Sequence, residues 1–389
     1  MRVEEPGTAA EAAEALRTAA AEGLAVRPRG GGTKLGWGTA VVEPDVELST
    51  KKLGRLVEHN AADLTAVLEA GVPLAEAQEA FSESGQMLAI DPPLGPVGRR
   101  AEDDEATIGG IVATGDSGPL RHRYGTPRDL LLGVTVALSD GVVAKSGGKV
   151  IKNVAGYDLA KLFTGSFGTL GLIMQVAVRL HPLPARRVSA VGYGEDPEAL
   201  QRAAMVLGHS SLELESLDVW WEHGTGKVIA RCAGAAPEPR AKEAVRLMSG
   251  ARLRSEVFED DEGLWGTQRQ AQRSAEATVM RVSALPSDLS RIIQIVEELP
   301  GSVVGRAGLG ICWILLPPES AAGVVAAVEG LRQRLAPFPC VVLDAPKAVR
   351  DNVDVWGEPE GPAVELMRRV KARFDPAGVC NPGVFVGGI

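Results

Sequence analysis

Hydrophobic and polar positions change period along the chain, and the changes predict where helices and strands lie. Residues 8–22 are rich in Ala and Glu, with Thr8 placed to cap a helix and Gly23 to end it. Short β-type runs follow at 24–29, 40–44, 45–50 and 63–71, and residues 74–84 return to a helical pattern. Within 129–147, Asp140-Gly141 separates two β-type runs, which is typical of a hairpin. With a strand at 171–180, the pattern predicts one α+β domain over residues 1–184.

The pattern beyond residue 184 differs and repeats. A β-run, a helix at 197–207, two β-runs and a helix from 240 give the order β-α-β-β-α. The same order returns with helices at 287–298 and 319–335. It predicts a ferredoxin-like or doubled α/β cap over residues 185–345. A helix at 360–374 and a turn-rich end form a C-terminal segment, residues 346–389.

Charge and aromatic content exclude nucleic acid as a partner. The 389 residues carry a net charge of −9, whereas a phosphate backbone requires a basic stripe. Aromatic residues make up only 4%, too few for the stacking platforms of single-strand binders. The composition is therefore typical of a globular protein, and we expect its ligand to be a small molecule.

The spacing of the cysteines indicates whether the chain binds a metal, and its hydropathy indicates whether the chain spans a membrane. The four cysteines, at 232, 312, 340 and 380, form no C-x-x-C pair, so neither a zinc ribbon nor an iron–sulfur cluster is expected in this chain. We expect isolated buried thiols and no metal site. No run reaches the 18 or so apolar residues of a membrane helix, and the first residues include acidic ones where a signal peptide requires a basic start and an apolar run. We expect a cytoplasmic protein without a transmembrane segment.

Glycine is the compositional outlier, and its clustering indicates ligand-binding loops. The chain has 46 glycines, and the first cluster, RPRGGGTK at 27–34, directly follows a predicted strand. Consecutive glycines let several backbone N–H groups converge on one anion, and a pyrophosphate fits this geometry. A flexible turn is the alternative. The loop matches no Walker A motif, and G-x-G-x-x-G is absent, which disfavours a Rossmann site.

Two further glycine clusters extend the prediction. ATIGGIVATGDSG at 106–118 allows close approach of backbone to a flat ring or a phosphate, with tight packing as the alternative. Asp91-Pro92-Pro93 is rigid enough to form a wall of the site. The third cluster runs from residue 147 through KNVAGYD (152–158) to GSFGTLG (165–171). One elongated dinucleotide explains all three loops economically.

The motifs PRGGGTK, ATIGGIVATGDSG, RYG and KNVAGYDLAKLFTGSFGTLG together resemble the vanillyl-alcohol oxidase or PCMH-type FAD-binding family. KNVAGYD and the DPAGVCNPG ending are similar to the FAD-binding subunits of glycolate oxidases within it. The resemblance implies a two-part PCMH-type FAD-binding domain with an inserted cap. It also implies noncovalent FAD, because Thr33 follows the glycines where many relatives carry the histidine that tethers the cofactor.

The resemblance also implies which residues hold FAD. The loop from 28 to 34 would wrap the pyrophosphate, the 107–118 segment would line the flavin and diphosphate, and the remaining residues would touch the adenine or ribitol side or close over the ring. The cofactor-binding residues predicted in this way, with the proline wall included, are Pro28, Arg29, Gly30, Gly31, Gly32, Thr33, Lys34, Pro92, Thr107, Gly109, Gly110, Thr114, Gly115, Gly118, Gly171, Ile173 and Asn381.

The catalytic residues remain unassigned at this stage. The H-x-H pair of FAD-linked lactate dehydrogenases and the H-W-x-K ending of sugar-lactone oxidases are both missing. Arg350 or Arg306 could pair with a substrate carboxylate, and His122 or Tyr157 could act as a base. Each also has a plain structural interpretation, as a surface, loop or packing residue.

Three functions follow as hypotheses. The first is an FAD-binding subunit of a glycolate or 2-hydroxyacid oxidase complex, with a sister flavin subunit that oxidises the small 2-hydroxyacid substrate and an iron–sulfur subunit that accepts electrons. The second is a stand-alone FAD-dependent 2-hydroxyacid oxidoreductase, and the third is a noncatalytic FAD-binding scaffold. In the first, partners could also place the chain peripherally on a membrane.

Overall fold

The computed structural model describes residues 1–39, 43–95, 105–149, 158–357, 359 and 361–389. Most of KNVAGYD, including Tyr157, lies outside the described residues, as do the first three positions of the predicted strand at 40–44. The fold is a mixture of helices and sheets, as the sequence predicted.

The N-terminal residues form a small parallel sheet with one helix. Its elements are β1 (Arg2–Glu4), α1 (Ala9–Glu22), β2 (Val26–Arg29) and β3 (Val46–Ser49), with strand order β1-β3-β2. The Thr8 hydroxyl accepts a hydrogen bond from the Glu11 N–H at 3.2 Å, which caps α1 as predicted. The apolar side of α1, including Leu16, packs on Leu48 of the sheet.

A second, antiparallel sheet follows, with order β4-β5-β9-β7-β8. The elements of this part are β4 (Leu56–Asn60), β5 (Thr65–Glu69), α2 (Leu74–Ser82), β6 (Gln86–Met87), α3 (Ile108–Thr114), α4 (Arg121–Tyr124), α5 (Pro127–Leu130), β7 (Leu131–Ala137), β8 (Val143–Gly147), α6 (Ala160–Phe163), β9 (Leu172–Arg179) and β10 (His181–Pro182). The predicted hairpin is confirmed, with Gly141 at φ 83° in the turn between β7 and β8. The two sheets give the two-part architecture that the resemblance implied.

The middle of the chain builds one eight-stranded antiparallel sheet. Its elements are β11 (Arg186–Gly194), α7 (Pro197–Gly208), β12 (Ser216–Glu222), β13 (Thr225–Gly234), α8 (Pro237–Gly250), β14 (Arg254–Phe258), α9 (Glu262–Gln270), β15 (Thr278–Ser283), α10 (Leu289–Glu297), β16 (Ser302–Arg306), β17 (Ile311–Leu316), α11 (Ala321–Leu335) and β18 (Cys340–Asp344). The strand order is β14-β11-β13-β12-β16-β17-β15-β18. Each half is therefore a β-α-β-β-α-β unit, and the halves join through β12 and β16.

The two faces of the cap sheet differ in what they contact. Helices α7, α8, α10 and α11 cover one face and bury a large apolar core with residues such as Leu200, Met248, Ile292 and Val328. The opposite face carries Val279 and Trp313, which pack against Trp37 from the N-terminal half. Because side chains alternate along a strand, that face is also where the polar and charged residues of these strands meet the rest of the protein.

The C-terminal residues return to the first sheet. After α12 (Lys347–Arg350) and α13 (Pro362–Phe374), Cys380 forms a parallel bridge with Val26. The N–H of Asn381 donates to the Val26 carbonyl at 2.7 Å. The Lys371 ammonium donates to the carbonyls of Thr169 and Cys380 at 2.8 and 2.7 Å. These bonds tie the end of the chain to both N-terminal sheets, whereas the domain limits at 184 and 345 stay a prediction.

Candidate functional site

A cavity opens where the loop after β2, the segment 106–114, the turn before β9 and the C-terminal tail meet. Its wall brings together most residues predicted to hold a cofactor, although they are distant in sequence. The predicted residues in the wall are Pro28, Arg29, Gly30, Gly31, Gly32, Thr33, Lys34, Thr107, Gly109, Gly110, Thr114, Gly171, Ile173 and Asn381. The glycine loops therefore face one common space, and each residue's contact with the cofactor stays a prediction.

Glycine is required in the first loop because it packs against the segment that precedes α3. A Cβ atom added to Gly31 would overlap the Glu105 carbonyl oxygen, and one added to Gly30 would overlap the Thr107 hydroxyl. The N–H groups of residues 30 to 33 donate to no other described residue. Four consecutive backbone donors at a cavity wall are suited to bind the oxygens of an anion such as a pyrophosphate.

A buried ion pair joins a residue of the cavity wall to the segment after α3. The Lys34 ammonium lies 3.2 Å from Asp116 Oδ2 and 5.8 Å from the centre of the Trp37 ring. Burial lowers the pKa of Lys34, and the Asp116 charge opposes that shift. Asp116 directly follows the residue that ends α3, so the pair joins the first loop to the second.

The cap and the segment after it hold the first loop from outside. Arg273 donates to Asp344 at 2.6 Å and to the Thr33 carbonyl at 3.1 Å. Asp344 also accepts a hydrogen bond from the Trp37 indole at 3.0 Å. Arg350 lines the cavity and donates to the Gly38 carbonyl. The shape of the loop therefore depends on residues more than 230 positions away in sequence, which no local motif indicates.

Three predicted residues do not line the cavity. Pro92 is buried, and a Cβ on Gly118 would overlap the Asp91 carbonyl oxygen, so both belong to the packing around Asp91. Gly115 ends α3 with φ 65° and packs against Gly165. These three residues therefore have packing or helix-ending roles in the structure, and their contact with the cofactor stays a prediction.

The cavity also has wall residues that the sequence analysis did not select. Trp37, Thr50, Phe167, Val384 and Arg350 contribute to it. Phe167 lay within the third glycine cluster, and Arg350 was considered only for a substrate. Trp37, Thr50 and Val384 belong to no sequence pattern that distinguishes a residue of a cavity wall from a residue of the core.

An aromatic cluster covers the side of the cavity formed by the C-terminal tail. The rings of Phe167, Trp356 and Phe385 lie with centres 5.1 to 5.6 Å apart. The Asn381 side-chain amide donates to the Phe167 carbonyl at 2.7 Å. Phe167 and Asn381 both have positive φ angles, 54° and 42°, which are uncommon for residues with a side chain. The tail is thus fixed against the turn before β9 at the cavity.

Two of the described candidates for substrate chemistry, Arg306 and His122, do not line this wall, whereas Arg350 does. Arg306 is fully buried in an ion pair with Asp218 on the cap sheet. His122 packs on Gly308, its Nδ1 is buried without a hydrogen bond to a described residue, and burial lowers its pKa. Tyr157 lies outside the described residues. Of the three described candidates, Arg350 alone is therefore placed at the cavity.

Two buried carboxyl groups lie near Arg306 at the junction between the cap and the N-terminal half. Burial raises the pKa of Asp91 to about 6, opposed by Arg269, whose Nη1 lies 3.8 Å from Asp91 Oδ2. Burial also raises the pKa of Asp218 to about 7. The junction is therefore a charged layer, in contrast to the helix-covered face of the same sheet.

Neither metal ligands nor a membrane helix appears in the described part of the chain. Within these residues, no group of three or more His, Cys, Asp or Glu side chains is arranged to hold a metal ion. No helix there is long and apolar enough to cross a membrane. The four cysteines are free and buried, as predicted.

Comparison with known families supports the interpretation of the cavity. Residues 2–147 match the FAD binding domain family, and residues 356–385 match the C-terminal domain of FAD linked oxidases. These matches, with the relatives below, define an FAD-dependent oxidoreductase. The chain is similar to FAD-linked oxidases with a PCMH-type FAD-binding domain.

Relatives cover most of the chain at modest identity. It is 27% identical to glycolate oxidase subunit GlcE of Escherichia coli (strain K12), over 84% of this chain and 83% of the relative. It is 26% identical to D-2-hydroxyglutarate dehydrogenase of Xanthomonas citri pv. viticola, over 97% and 87%. Solved structures of alkyldihydroxyacetonephosphate synthase share the fold, with a TM-score of 0.71 and 13% identity over 98% of this chain and 75% of the other.

The cofactor of this family is FAD, and the cavity fits it. The free N–H groups of residues 30 to 33 and the glycine packing at Gly30 and Gly31 suit a pyrophosphate. The described wall contains no His, Cys or Tyr side chain that could form a covalent bond to the flavin, so noncovalent binding is the mode that fits.

Proposed function

We propose that this chain is the FAD-binding subunit of a glycolate or 2-hydroxyacid oxidase complex, passing electrons from FAD to partner subunits. The observation that carries the proposal is the match to glycolate oxidase subunit GlcE, which extends over 84% of this chain and 83% of that subunit. A match of this length cannot be confined to the FAD-binding part and includes at least part of the cap. FAD, when bound, supplies two-electron chemistry and can deliver electrons to an acceptor.

In this proposal residues 1–184 and 346–389 hold FAD, and residues 185–345 form the cap. The loop from Pro28 to Thr33 binds the pyrophosphate through backbone N–H groups. The ion pair between Lys34 and Asp116 fixes the C-terminal end of this loop. Thr107, Gly109, Gly110 and Thr114 line the flavin side. Gly171 and Ile173 lie on the adenine or ribitol side, and Asn381 fixes the tail over the ring.

The partners follow from what the sequence lacks. No H-x-H pair is present, so a sister flavin subunit would supply the base that acts on the 2-hydroxyacid. The cysteines are too far apart in sequence for a ferredoxin-type cluster motif, so an iron–sulfur subunit would accept the electrons. We place the complex in the cytoplasm, with any membrane contact made by the partners.

A stand-alone 2-hydroxyacid oxidoreductase is the second candidate. The observation that favours it is the match to D-2-hydroxyglutarate dehydrogenase, which includes 97% of this chain. A noncatalytic FAD-binding scaffold is the third candidate. In that function FAD only orders the glycine loops and transfers no electrons.

The test compares the FAD-loaded chain alone with the chain in complex with a sister flavin subunit and an iron–sulfur subunit, without oxygen. We expect the flavin of the chain alone to stay oxidised with glycolate or D-lactate, and to be reduced within the complex. Reduction of the chain alone would instead support the stand-alone enzyme. Failure to bind FAD after reconstitution would contradict all three functions.

The variant Gly31→Ala separates electron relay from scaffolding. It places a Cβ against the Glu105 carbonyl and should release FAD from this chain. If the chain relays electrons, a complex that contains the variant loses glycolate-dependent reduction of the iron–sulfur subunit. If the complex assembles and keeps full activity without this FAD, the scaffold function is correct. Gly250→Ala at the end of α8, where an added Cβ meets no atom within 4 Å, is the matched control.

A further inference from the structure

Lys371 is a largely buried cation on α13 that joins two segments distant in sequence. Its ammonium donates to the Thr169 carbonyl at 2.8 Å, to the Cys380 carbonyl at 2.7 Å and to Asp375 Oδ2 at 2.5 Å. An ammonium has three N–H donors, so all of them are used here. Only 12% of the side chain is exposed, and Thr169 lies 202 positions before Lys371. The contact is therefore part of the tertiary structure rather than a surface ion pair.

The two backbone carbonyls depend on Lys371 for their hydrogen bonds. Thr169 and Cys380 are both buried, and both lie outside the helices and strands given above. Among the described residues, no other donor forms a hydrogen bond with either carbonyl. A buried carbonyl that loses its donor costs free energy unless the chain moves to satisfy it. Removal of the ammonium should therefore let both segments move away from their present positions.

Asp375 extends this contact into the C-terminal tail, residues 375–389. Its carboxylate accepts hydrogen bonds from the N–H groups of Val379 at 3.3 Å and of Cys380 at 2.8 Å. Asp375 is itself buried, and it directly follows the last residue of α13. Lys371 and Asp375 thus hold both polar backbone groups of Cys380, its carbonyl and its N–H. We call these two side chains and their backbone bonds the tail clasp.

The two segments that the tail clasp joins form one side of the FAD cavity. Lys371 does not line the cavity, but Thr169 lies in the turn before β9 and Cys380 lies in the tail. The cavity-wall residues from these two segments are Phe167, Gly168, Gly171, Asn381 and Val384. Because Cys380 immediately precedes Asn381 in sequence, a shift of the tail at Cys380 moves a residue of the wall.

Two of these wall residues have backbone conformations that need support. Phe167 has φ 54° and Asn381 has φ 42°, and the Asn381 side-chain amide donates to the Phe167 carbonyl at 2.7 Å. Such conformations cost free energy and persist only where the surrounding contacts hold them. The tail clasp supplies contacts within two residues of each, at Thr169 and at Cys380. This side of the wall is therefore held by bonds of the chain itself.

We propose that Lys371 is a positioning residue for FAD: it holds the turn before β9 and the C-terminal tail in the arrangement that receives the cofactor. It acts through the carbonyls of Thr169 and Cys380, because its own side chain lies outside the cavity wall. A wall that is already ordered avoids the free-energy cost of ordering it on binding, so FAD binds more tightly. The inference requires FAD in this cavity, but it does not require that the chain relays electrons.

The test measures FAD binding to the apoprotein by flavin fluorescence titration, together with the melting temperature of the protein without FAD. Lys371→Met should raise the dissociation constant of FAD at least about tenfold, because two hydrogen bonds from a charged donor no longer hold the wall. Lys371→Gln is measured in parallel in case the Met variant does not fold.

Hydrogen exchange of the tail amides gives a second readout, which a purely structural role would not produce. In the ligand-free wild type, the N–H groups of Cys380 and Asn381 are bonded to Asp375 and to the Val26 carbonyl, so they should exchange slowly. In ligand-free Lys371→Met they should exchange faster, and FAD should restore most of the protection, because the cofactor then orders the tail as it binds.

Lys347→Met is the matched control, because Lys347 pairs with Asp351 in the same i, i+4 arrangement but is exposed and lies outside the cavity wall. Asp375→Asn separates the ion pair from the carbonyl bonds. It removes the charge of Asp375 and keeps the bonds from Lys371 to the two carbonyls, so it should weaken FAD binding less than Lys371→Met does.

The proposal is overturned if Lys371→Met binds FAD as tightly as the control does, or if Asp375→Asn weakens binding as much as Lys371→Met. A lower melting temperature with an unchanged dissociation constant would show a purely structural role and overturn it as well. The same holds if neither Lys371 variant folds, because the tail clasp would then stabilise the fold rather than the site.

These outcomes are distinguishable from failure of the proposed function. The titration compares FAD affinity among variants of the chain alone, whereas the proposed function fails if the FAD-loaded wild type passes no electrons within the complex. A chain that loses FAD affinity in Lys371→Met but never reduces a partner subunit would therefore keep the positioning role and lose the relay.

Discussion

The two walls of the junction carry their function in different chemical groups. On the N-terminal side, the cavity wall is built largely from backbone: glycines pack so closely that added side chains would overlap, and the N–H groups of residues 30 to 33 donate to no other described residue. On the cap side, the inner face of the sheet is built from charged side chains, such as Arg306, Asp218 and Arg281. Changes to the first wall should release FAD from a folded chain, whereas changes to the second should alter stability and the charge of the site.

The largest effect expected from this comparison is on the cap. Asp218→Ala removes the partner of Arg306, and both side chains are fully buried. Breaking a buried pair by removing one partner costs about 3–5 kcal/mol of unfolding free energy, because the remaining charge has no compensation. Chemical denaturation, followed by far-UV circular dichroism, measures the loss.

Glu14→Ala is the control for that experiment. It breaks an exposed pair with Arg17 on α1, and the denaturation midpoint should stay unchanged. If Asp218→Ala were as stable as Glu14→Ala, the inner face of the cap would not depend on its charges, and the contrast between the two walls would be lost.

The next effect concerns pH at the junction itself. Burial raises the pKa of Asp91 to about 6, above the value near 4 of an unfolded aspartate. The native state therefore holds a proton that the unfolded state releases, which contributes stability that is complete below pH 4 and lost as the pH rises through 6. Between pH 4 and 7, unfolding free energy should change relative to Asp91→Asn by about 2–3 kcal/mol.

The comparison with Asp91→Asn isolates this carboxyl from opposing groups. Burial lowers the pKa values of His122 and His181, so both reduce stability as the pH falls through 6.5, in wild type and variant alike. Parallel stability curves for the two proteins would show that Asp91 is charged throughout, in a firm ion pair with Arg269.

The contrast between the backbone-built wall and the charged wall also explains which features could be predicted from the sequence. Local signals predicted α1 from Thr8 and Gly23, the hairpin at Asp140-Gly141, and the glycine loops that contribute to the cavity wall, because loops and turns are encoded by adjacent residues. Pairing between distant residues was not accessible. Arg306 and Asp218 are 88 positions apart, and Arg273 and Thr33 are 240 apart.

Elements of the cap were missed for related reasons. The β-α-β-β-α order was predicted, but the closing edge strand β14 has alternating charges and no buried residue, so its sequence lacks a hydrophobic signal. Helix α9 has no side-chain cap and a polar composition, and its buried Trp265 and Gln268 become meaningful only once the sheet is present. Edge strands and helices that depend on packing are stabilised by tertiary contacts rather than by local pattern.

On the backbone-built wall, the expected loss is of cofactor. Gly31→Ala forces the loop away from Glu105, and strain from such overpacking is about 1–3 kcal/mol, which weakens FAD binding by about tenfold to a hundredfold. Flavin fluorescence titration of the apoprotein measures the dissociation constant. Gly250→Ala should bind FAD as the wild type does, and an equal loss in both variants would mean that close packing is not what the loop requires.

The smallest expected effect on FAD binding comes from a residue that joins the two walls. Arg273 reaches from the cap to the Thr33 carbonyl, so Arg273→Gln should weaken FAD binding about tenfold, the value of one hydrogen bond from a charged donor. The variant also leaves Asp344 without its partner in a largely buried ion pair, so the chain should lose stability as well. Arg246→Gln, on the outer surface of the cap, should change neither quantity. If Arg273→Gln destabilises the chain and leaves FAD affinity unchanged, its bond to Asp344 serves the cap alone. If FAD affinity falls as expected, a side chain of the cap helps to determine the shape of the loop whose backbone binds FAD. The two walls then differ in composition, but both contribute to FAD binding.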